Sequence, residues 1–430
     1  MMLPWAAAAL AVLSACPSAY AMPPLYQPGD LDNNNGTANG TADGNSTSTD
    51  PMAACKLPAH INVWLSSGFA PNFFDCVPSQ GTVQGFMFFV DFPDARANTT
   101  EVSPKGIYDS IVPAANDWIK TSSYGQVSLD IAADTSKFHR MPAATSSYGW
   151  ESMTSEMHAQ YVQDALDAYL EDQALPKAID VLYVMAPPSA SGFPNSLTTA
   201  FNPKTRPKSA GGEVMVARRA VTMGIDVYDP SHGYRVLDHE TGHTMCLADY
   251  YPTDRTNSLG YFVAGFSVMG DSTQPGPDHF AWDKWRMGWL PDMAVECVAV
   301  SDMMMTTRHI LTPLEQTPES GKTQAVVIAV SDTKALVAEA RTRNGVDDQF
   351  CGPGVLLYTV DTQLSSGNGP IRVLNNTPDV YTCGGYPANR APLSFEEGRS
   401  RSLTAEEFSV TVSLTDQVGM DQFIIEVKRI

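Results

Sequence analysis

The first half of the chain mixes two hydrophobic periods. Continuous apolar runs at residues 85–92 and 179–186 have the length of buried strands, and residues 126–131 alternate as a half-buried strand does. Apolar side chains recur at helical spacing over residues 106–124 and 156–170. The order strand, helix, strand, helix, strand predicts a mixed α/β domain.

After about residue 298 the pattern changes to short strand-like runs separated by Gly, Asn and Pro, with no strong helical pattern between them. These runs lie at residues 325–330, 335–340, 355–360, 408–414 and 423–427. The change predicts two domains, an α/β domain over residues 55–298 and a smaller, mostly β domain over residues 299–430. The length of 430 residues agrees, because it exceeds what one core ordinarily organises.

The N-terminal residues lack the features of a folded domain. Residues 1–21 contain an apolar run too short to span a bilayer and end in an Ala-x-Ala-like pattern, which predicts a signal peptide and secretion although no Lys or Arg precedes the run. Residues 30–50 are almost entirely Asn, Gly, Thr, Asp, Ser and Ala. We therefore expect a disordered leader or short pro-region over residues 22–54. No later stretch reaches the apolar length of a membrane helix.

The charge of the chain excludes some partners. Asp and Glu number 47 against 27 Lys and Arg, which gives a formal net charge of −20. Such an acidic surface repels phosphate, so neither a nucleic acid nor an anionic membrane surface is an expected partner.

The cysteines fit an oxidising compartment. Of seven cysteines, Cys16 lies in the predicted signal peptide and six remain, an even number that suggests three disulfides whose pairing the sequence does not fix. Proximity favours Cys55 with Cys76 and Cys351 with Cys383, which leaves Cys246 for Cys297. Acceptor sequons for N-glycosylation occur at Asn35, Asn39, Asn45, Asn98 and Asn375.

The segment 239–243 reads His-Glu-Thr-Gly-His and carries the most specific chemistry. On a helix, His239 and His243 project from one face about one turn apart, so that both imidazoles can bind one zinc ion. Glu240 can then reach a metal-bound water without binding the metal, which is the position of a general base. Asp249 follows six residues after His243, as in the extended motif whose third ligand is an aspartate.

Together with other segments, this motif resembles the immune inhibitor A family of secreted metalloproteases. The matching segments, in the family's order, are residues 90–94, 123–125, 239–249, 266–270, 288–290, 339–341 and 357–361. The resemblance covers about residues 86–361 and implies a metzincin-like catalytic domain. It implies zinc on His239, His243 and Asp249, Glu240 as the base, and Met269 in a turn that packs beneath the site. Residues 281–290 are expected to form an amphipathic helix behind that floor.

Two points of the motif leave alternatives open. Cys246 stands where the extended motif has Gly, at a turn where positive φ is usually wanted, and a Cys246–Cys297 bond is one hypothesis for what holds that turn. His279 is the rival of Asp249 as third ligand, although a supporting or structural role is the favoured interpretation. Tyr250, Tyr251 and Tyr261 are candidate donors to an oxyanion, but packing is the expected role.

Calcium is a weaker candidate ligand. Asp254, Asp271 and Asp278 lie close in sequence but lack EF-hand spacing, so a solvated acidic loop is the favoured interpretation. The sequence therefore predicts a secreted zinc endopeptidase acting on a protein or peptide. The alternatives are a binding or adhesion module on a metalloprotease scaffold and a zinc hydrolase of non-peptide substrates.

Overall fold

The structure, a computed structural model, describes residues 50–430 except 71–75, 151–152, 177, 201–206, 210, 213–216, 255–256, 303–305 and 377–384. The predicted signal peptide and nearly all of the predicted leader lie outside the described residues. The helices and strands, in chain order, are β1 (Gly81–Asp91), α1 (Pro104–Ser122), β2 (Val127–Arg140), α2 (Ser155–Leu170), β3 (Val181–Met185), β4 (Leu197–Ala200), β5 (Arg219–Met223), α3 (Gly233–Thr244), α4 (Ala281–Arg286), β6 (Val295–Ala299), β7 (Thr306–Leu311), β8 (Ala325–Ala329), β9 (Lys334–Arg341), β10 (Gly354–Asp361), β11 (Ile371–Val373), β12 (Ser402–Ala405), β13 (Val410–Val418) and β14 (Gln422–Arg429).

The first sheet is a five-stranded layer with helices on both faces. Its order is β2-β1-β3-β5-β4, in which β4 is antiparallel to its neighbour and the other strands are parallel. On β1, Met87 and Phe89 belong to the core shared with α1 and α3, while Phe86 and Phe88 belong to the core shared with α2. Burial on both faces explains why β1 reads as a continuous apolar run.

The predicted strands and helices of this region are confirmed, and one strand is longer than expected. α1 begins at Pro104, two residues before the predicted range, because the Ser103 hydroxyl caps the helix, accepting from the backbone N–H of Gly106 at 3.1 Å. β2 continues to Arg140 instead of ending near residue 131. Its pairing with β1 shifts register between Met87 and Phe89, and β2 lies at the edge of the sheet. A bulge at an exposed edge does not keep the alternating pattern on which the prediction relied.

Two further sheets follow. The second has the order β11-β10-β9-β8-β6 and is antiparallel except for the β6–β8 pair, and the third is antiparallel with the order β12-β13-β14-β7. One face of the second sheet packs against the third, whereas Val337 and Tyr358 on its other face join the core of α1 and α3. The five predicted strand-like runs are confirmed as β8, β9, β10, β13 and β14. No α-helix follows α4 in the part of the chain that the structure describes.

The prediction of an amphipathic helix over residues 281–290 is wrong in both the length of the helix and the exposure of its polar side. α4 ends at Arg286, and its polar side chains face the interior. Asp283 accepts a hydrogen bond from the Tyr250 hydroxyl at 2.6 Å, and Lys284 pairs with Asp278 at 2.6 Å. The polar positions that suggested a solvent-facing side of the helix are therefore buried and paired.

Two of the three favoured disulfide pairs, Cys55–Cys76 and Cys246–Cys297, are wrong. Cys55 is bonded to Cys297 and Cys76 to Cys246, across 242 and 170 positions of sequence. The segment before β1 packs against the later core, so proximity along the chain was a poor guide. Cys351 is also disulfide-bonded, while its predicted partner Cys383 lies outside the described residues. None of the helices in the described ranges is long and apolar enough to cross a membrane.

Candidate metal centre

Helix α3 places two imidazole rings side by side, with their Nε2 atoms close together. The Nε2 atoms of His239 and His243 lie 3.2 Å apart, as expected for residues one turn apart. His239 Nδ1 lies 2.7 Å from the carbonyl oxygen of Val268, and His243 Nδ1 lies 2.8 Å from that of Leu247. Because a carbonyl only accepts hydrogen bonds, each Nδ1 carries a proton and directs its Nε2 towards that of the other histidine.

Asp249 completes a candidate metal-binding triad. Its Oδ1 atom lies 3.0 Å from His243 Nε2 and 3.4 Å from His239 Nε2. Among the residues that the structure describes, these three form the one group of His, Cys, Asp and Glu ligand atoms that all lie within 4.8 Å of one another. Asp249 Oδ1 is buried, and apart from the two imidazoles no donor hydrogen-bonds to it within the described structure. A buried carboxylate oxygen that faces two imidazole nitrogens fits a cation between them.

The electrostatics of the triad agree with a cation site. Burial alone would lower the pKa of His243, but the Asp249 carboxylate outweighs it and raises the pKa to about 9. Burial likewise opposes the charged form of Asp249, yet the two histidines hold the pKa of its carboxyl well below the ordinary range. Without an ion, the carboxylate is balanced by a proton on an imidazole, and a metal would displace that proton.

The turn after α3 brings Asp249 under the helix. Cys246 adopts positive φ, +67°, at the position where the extended motif has Gly. The hypothesised Cys246–Cys297 bond is wrong, because Cys246 is bonded to Cys76 and Cys297 to Cys55. A disulfide is nevertheless present at this turn. The backbone N–H of Leu247 closes the turn by donating to the carbonyl of Gly242 at 3.0 Å. The covalent link fixes a backbone conformation that a non-glycine residue seldom adopts.

Met269 packs beneath α3. It is completely buried, and a Cβ added at Gly242 would come within 2.7 Å of its sulfur. The preceding residue, Val268, supplies the carbonyl that orients His239. The turn at Met269 thus supports the helix and one of its histidines, and Met269 itself lies outside the triad.

Glu240 is held next to the triad by a hydroxyl on the edge strand. The Thr198 hydroxyl on β4 lies 2.7 Å from Glu240 Oε2 and 2.8 Å from the backbone carbonyl of Glu240. The Glu240 side chain is buried. Thr198 has no signal in the sequence, because only the pairing of β4 with β5 brings it to this helix.

Of the three candidate tyrosines, only Tyr251 reaches the triad. Its ring stacks on that of His239 with centroids 6.0 Å apart. Burial, with the nearby Asp249 carboxylate, raises the pKa of Tyr251 well above its ordinary value. Tyr250 bonds to Asp283 instead, and Tyr261 is largely exposed.

The rival ligand His279 lies in a different environment. Its Nδ1 is 2.9 Å from the Ser122 hydroxyl, and its ring packs between Trp118 and Trp289. Burial lowers the pKa of His279 to about 3, so the ring is neutral. Asp278 pairs with Lys284, and Asp271 accepts from Tyr386 at 2.8 Å. Asp254, Asp271 and Asp278 therefore form no metal-ligand group within the described ranges. The expectation of a solvated acidic loop is wrong for Asp271 and Asp278, which are buried.

Comparison with known proteins adds no relative. No protein-family model matches the chain, and a search of curated proteins finds no significant match. The fold and site define a mixed α/β protein with several sheets and a candidate His-His-Asp metal triad. The resemblance to the immune inhibitor A family stays a prediction that rests on the sequence motifs.

Proposed function

We propose that this protein is a secreted zinc endopeptidase with a metzincin-like catalytic domain. The observation that carries the proposal is a buried carboxylate, Glu240, on the same helix turn as two imidazoles of the His-His-Asp triad and close enough to help raise the pKa of His243. A purely structural zinc site has no need for a free carboxylate next to its ligands. The disulfides support an oxidising compartment and hence secretion.

His239, His243 and Asp249 would hold the zinc ion. Two neutral nitrogens and one carboxylate oxygen are a donor set that zinc accepts, and three protein ligands leave a position open for catalysis. Bound zinc supplies Lewis-acid polarisation of a peptide carbonyl and lowers the pKa of water towards about 7.

Glu240 would move the proton. Its carboxylate takes a proton from the attacking water and returns it to the leaving amine. The Thr198 hydroxyl holds Oε2, which fixes the carboxylate rotamer. Tyr251 lies next to His239 with a hydroxyl that can donate, which suits the stabilisation of developing negative charge on the substrate oxygen. No covalent intermediate is expected.

The test is casein hydrolysis by the purified full-length protein. Glu240→Gln keeps the shape of the side chain and removes the base, so we expect activity to fall by about a hundredfold or more at unchanged zinc content. The matched control is Glu156→Gln, which changes an exposed glutamate of α2. Equal activity in the wild-type protein and Glu240→Gln would overturn the proposed mechanism. Zinc binding without hydrolysis of casein or of a peptide library would favour the binding-module alternative.

A further inference from the structure

The loop between β10 and β11, residues 362–370, reaches the candidate metal centre from the second sheet. Within it, the Ser366 hydroxyl donates to Asp249 Oδ2 at 3.0 Å and accepts from the backbone N–H of Asp249 at 2.8 Å. The next residue, Gly367, donates its backbone N–H to the carbonyl oxygen of Asp249 at 3.0 Å. The loop therefore engages the backbone N–H, the backbone carbonyl and one carboxylate oxygen of the same residue.

We propose that Ser366 is a positioning residue that orients Asp249 as the third metal ligand. With Oδ2 bonded to the serine hydroxyl, Oδ1 is the oxygen that faces the imidazoles of His239 and His243. Oδ1 is also buried, and apart from these imidazoles no donor hydrogen-bonds to it in the described structure. Groups that hydrogen-bond a metal ligand from outside the coordination sphere fix its orientation and affect metal affinity strongly. This inference rests on the metal site of the proposed function.

The loop is itself fixed in place. Ser366 donates its backbone N–H to the carbonyl of Trp64 at 3.1 Å, and Thr253 donates its backbone N–H to the carbonyl of Gly367 at 3.2 Å. Gly367 has positive φ, +74°, and a Cβ there would come within 2.2 Å of the Thr253 side chain. Only glycine allows this close approach. Asp249 is thus oriented by a residue that lies 117 positions later in the chain, in a loop between two strands of the second sheet.

The experiment compares zinc affinity in full-length variants by competition with a chromogenic chelator. Ser366→Ala removes the hydroxyl that touches Asp249. Ser365→Ala is the matched control, because the Ser365 hydroxyl accepts from the Asn368 side chain in the same loop at 2.7 Å. We expect zinc to bind about 10- to 100-fold more weakly to Ser366→Ala, and within about twofold of wild type to Ser365→Ala. Ser366→Thr keeps the hydroxyl and should restore most of the affinity.

A second readout separates orientation from damage to the fold. Cobalt(II) substituted into the site reports ligand geometry in its visible absorption, so the band should change in Ser366→Ala and not in Ser365→Ala, while far-UV circular dichroism stays the same. Wild-type affinity and an unchanged cobalt spectrum in Ser366→Ala would overturn the inference, as would equal weakening in both alanine variants. A wild-type protein that binds zinc but hydrolyses no peptide would refute the endopeptidase, whereas the affinity comparison would still decide the role of Ser366.

Discussion

Two buried groups of charged side chains in the described part of the chain differ in how their hydrogen bonds are satisfied. One is the metal triad, His239, His243 and Asp249. The other, here named the Arg341 cluster, consists of Arg341, Glu339, Asp347, Asp278 and Lys284, and it lies where the second sheet meets the α/β region. Both groups are largely withdrawn from water. Burial alone therefore does not distinguish a functional site from a structural one.

In the Arg341 cluster, side chains of opposite charge form ion pairs with one another. Arg341 contacts Glu339 and Asp347 at 2.6 Å each, and its remaining donors reach two backbone carbonyls. Lys284 contacts Asp278 at 2.6 Å, and the backbone N–H of Asp278 donates to Asp347 at 3.0 Å. These side chains share their hydrogen bonds within the protein, and the cluster joins two layers of the fold.

In the metal triad, the Nε2 atoms of the two histidines and one carboxylate oxygen of Asp249 lie close to one another instead. Such a group of ligand atoms indicates a metal site better than a single buried polar atom without a hydrogen bond does, as Asp238 illustrates. Both of its carboxyl oxygens are buried without a hydrogen bond in the described structure, but burial raises the pKa of Asp238 well above its ordinary range. A lone buried carboxyl can take up a proton and become neutral. Asp249 cannot do so easily, because the neighbouring histidines keep it charged.

Metal removal should cause the largest loss of activity. It should also distinguish the metal triad, which the reaction needs, from the Arg341 cluster, which the fold needs. Dialysis against a chelator is expected to abolish casein hydrolysis, by more than about a hundredfold, because the proposed reaction needs the ion. The protein should stay folded, because Asp249 retains His243 as a partner and the Arg341 cluster is untouched. Activity, near-UV circular dichroism and recovery on adding zinc back are the measurements. Full activity after chelation would contradict a catalytic metal, and unfolding on chelation would indicate a structural one.

Loss of Arg341 should instead reduce stability. Arg341→Met leaves Glu339 and Asp347 buried without their cation, and breaking a buried pair in this way costs about 3–5 kcal/mol of unfolding free energy. Urea unfolding followed by tryptophan fluorescence measures the change. The matched control is Arg343→Met, because Arg343 is exposed and donates to the backbone carbonyl of Phe350. Equal stability of the two variants would show that the Arg341 cluster contributes no more than a surface arginine does.

The same contrast explains what the sequence could predict. His239, His243 and Asp249 lie within eleven consecutive residues, so one helix and one turn determine their arrangement. Eight of the fourteen strands in the described residues were also predicted, because each of these eight carries its own apolar period. Local geometry was sufficient in these cases.

What the sequence could not predict depends on contacts between distant segments. Ser366 reaches the site from the loop between β10 and β11, and Thr198 reaches it from β4. Nothing in the local sequence of either residue marks it. The prediction of the disulfide pairs failed for the same reason, since proximity along the chain does not measure distance in the fold. In the sequence, Lys284 resembles a solvent-facing residue of a helix. Its pairing with Asp278 becomes evident only in the folded structure.

His158 tests a third kind of buried titratable group, which has neither a charged partner nor convergent neighbours. It lies on α2 against the ring of Trp150, and its Nε2 is 2.7 Å from the Thr222 hydroxyl. Burial lowers the pKa of His158 from 6.5 to about 3. Between these values the unfolded chain binds a proton that the folded protein does not, so stability is complete above about pH 6.5 and falls as the pH decreases towards 3.

His158→Gln keeps a polar group near Thr222 and removes this titration. Between pH 6 and pH 4 the wild-type protein should therefore lose about 1.4 kcal/mol of unfolding free energy per pH unit more than His158→Gln does. Urea unfolding at several pH values measures the two slopes, and His60→Gln, at an exposed histidine, should keep the wild-type slope. Equal slopes in wild type and His158→Gln would mean that His158 is protonated inside the folded protein. Burial without a charged partner would then not be enough to keep an imidazole neutral. The distinction drawn between the Arg341 cluster and the metal triad would then need a different physical basis.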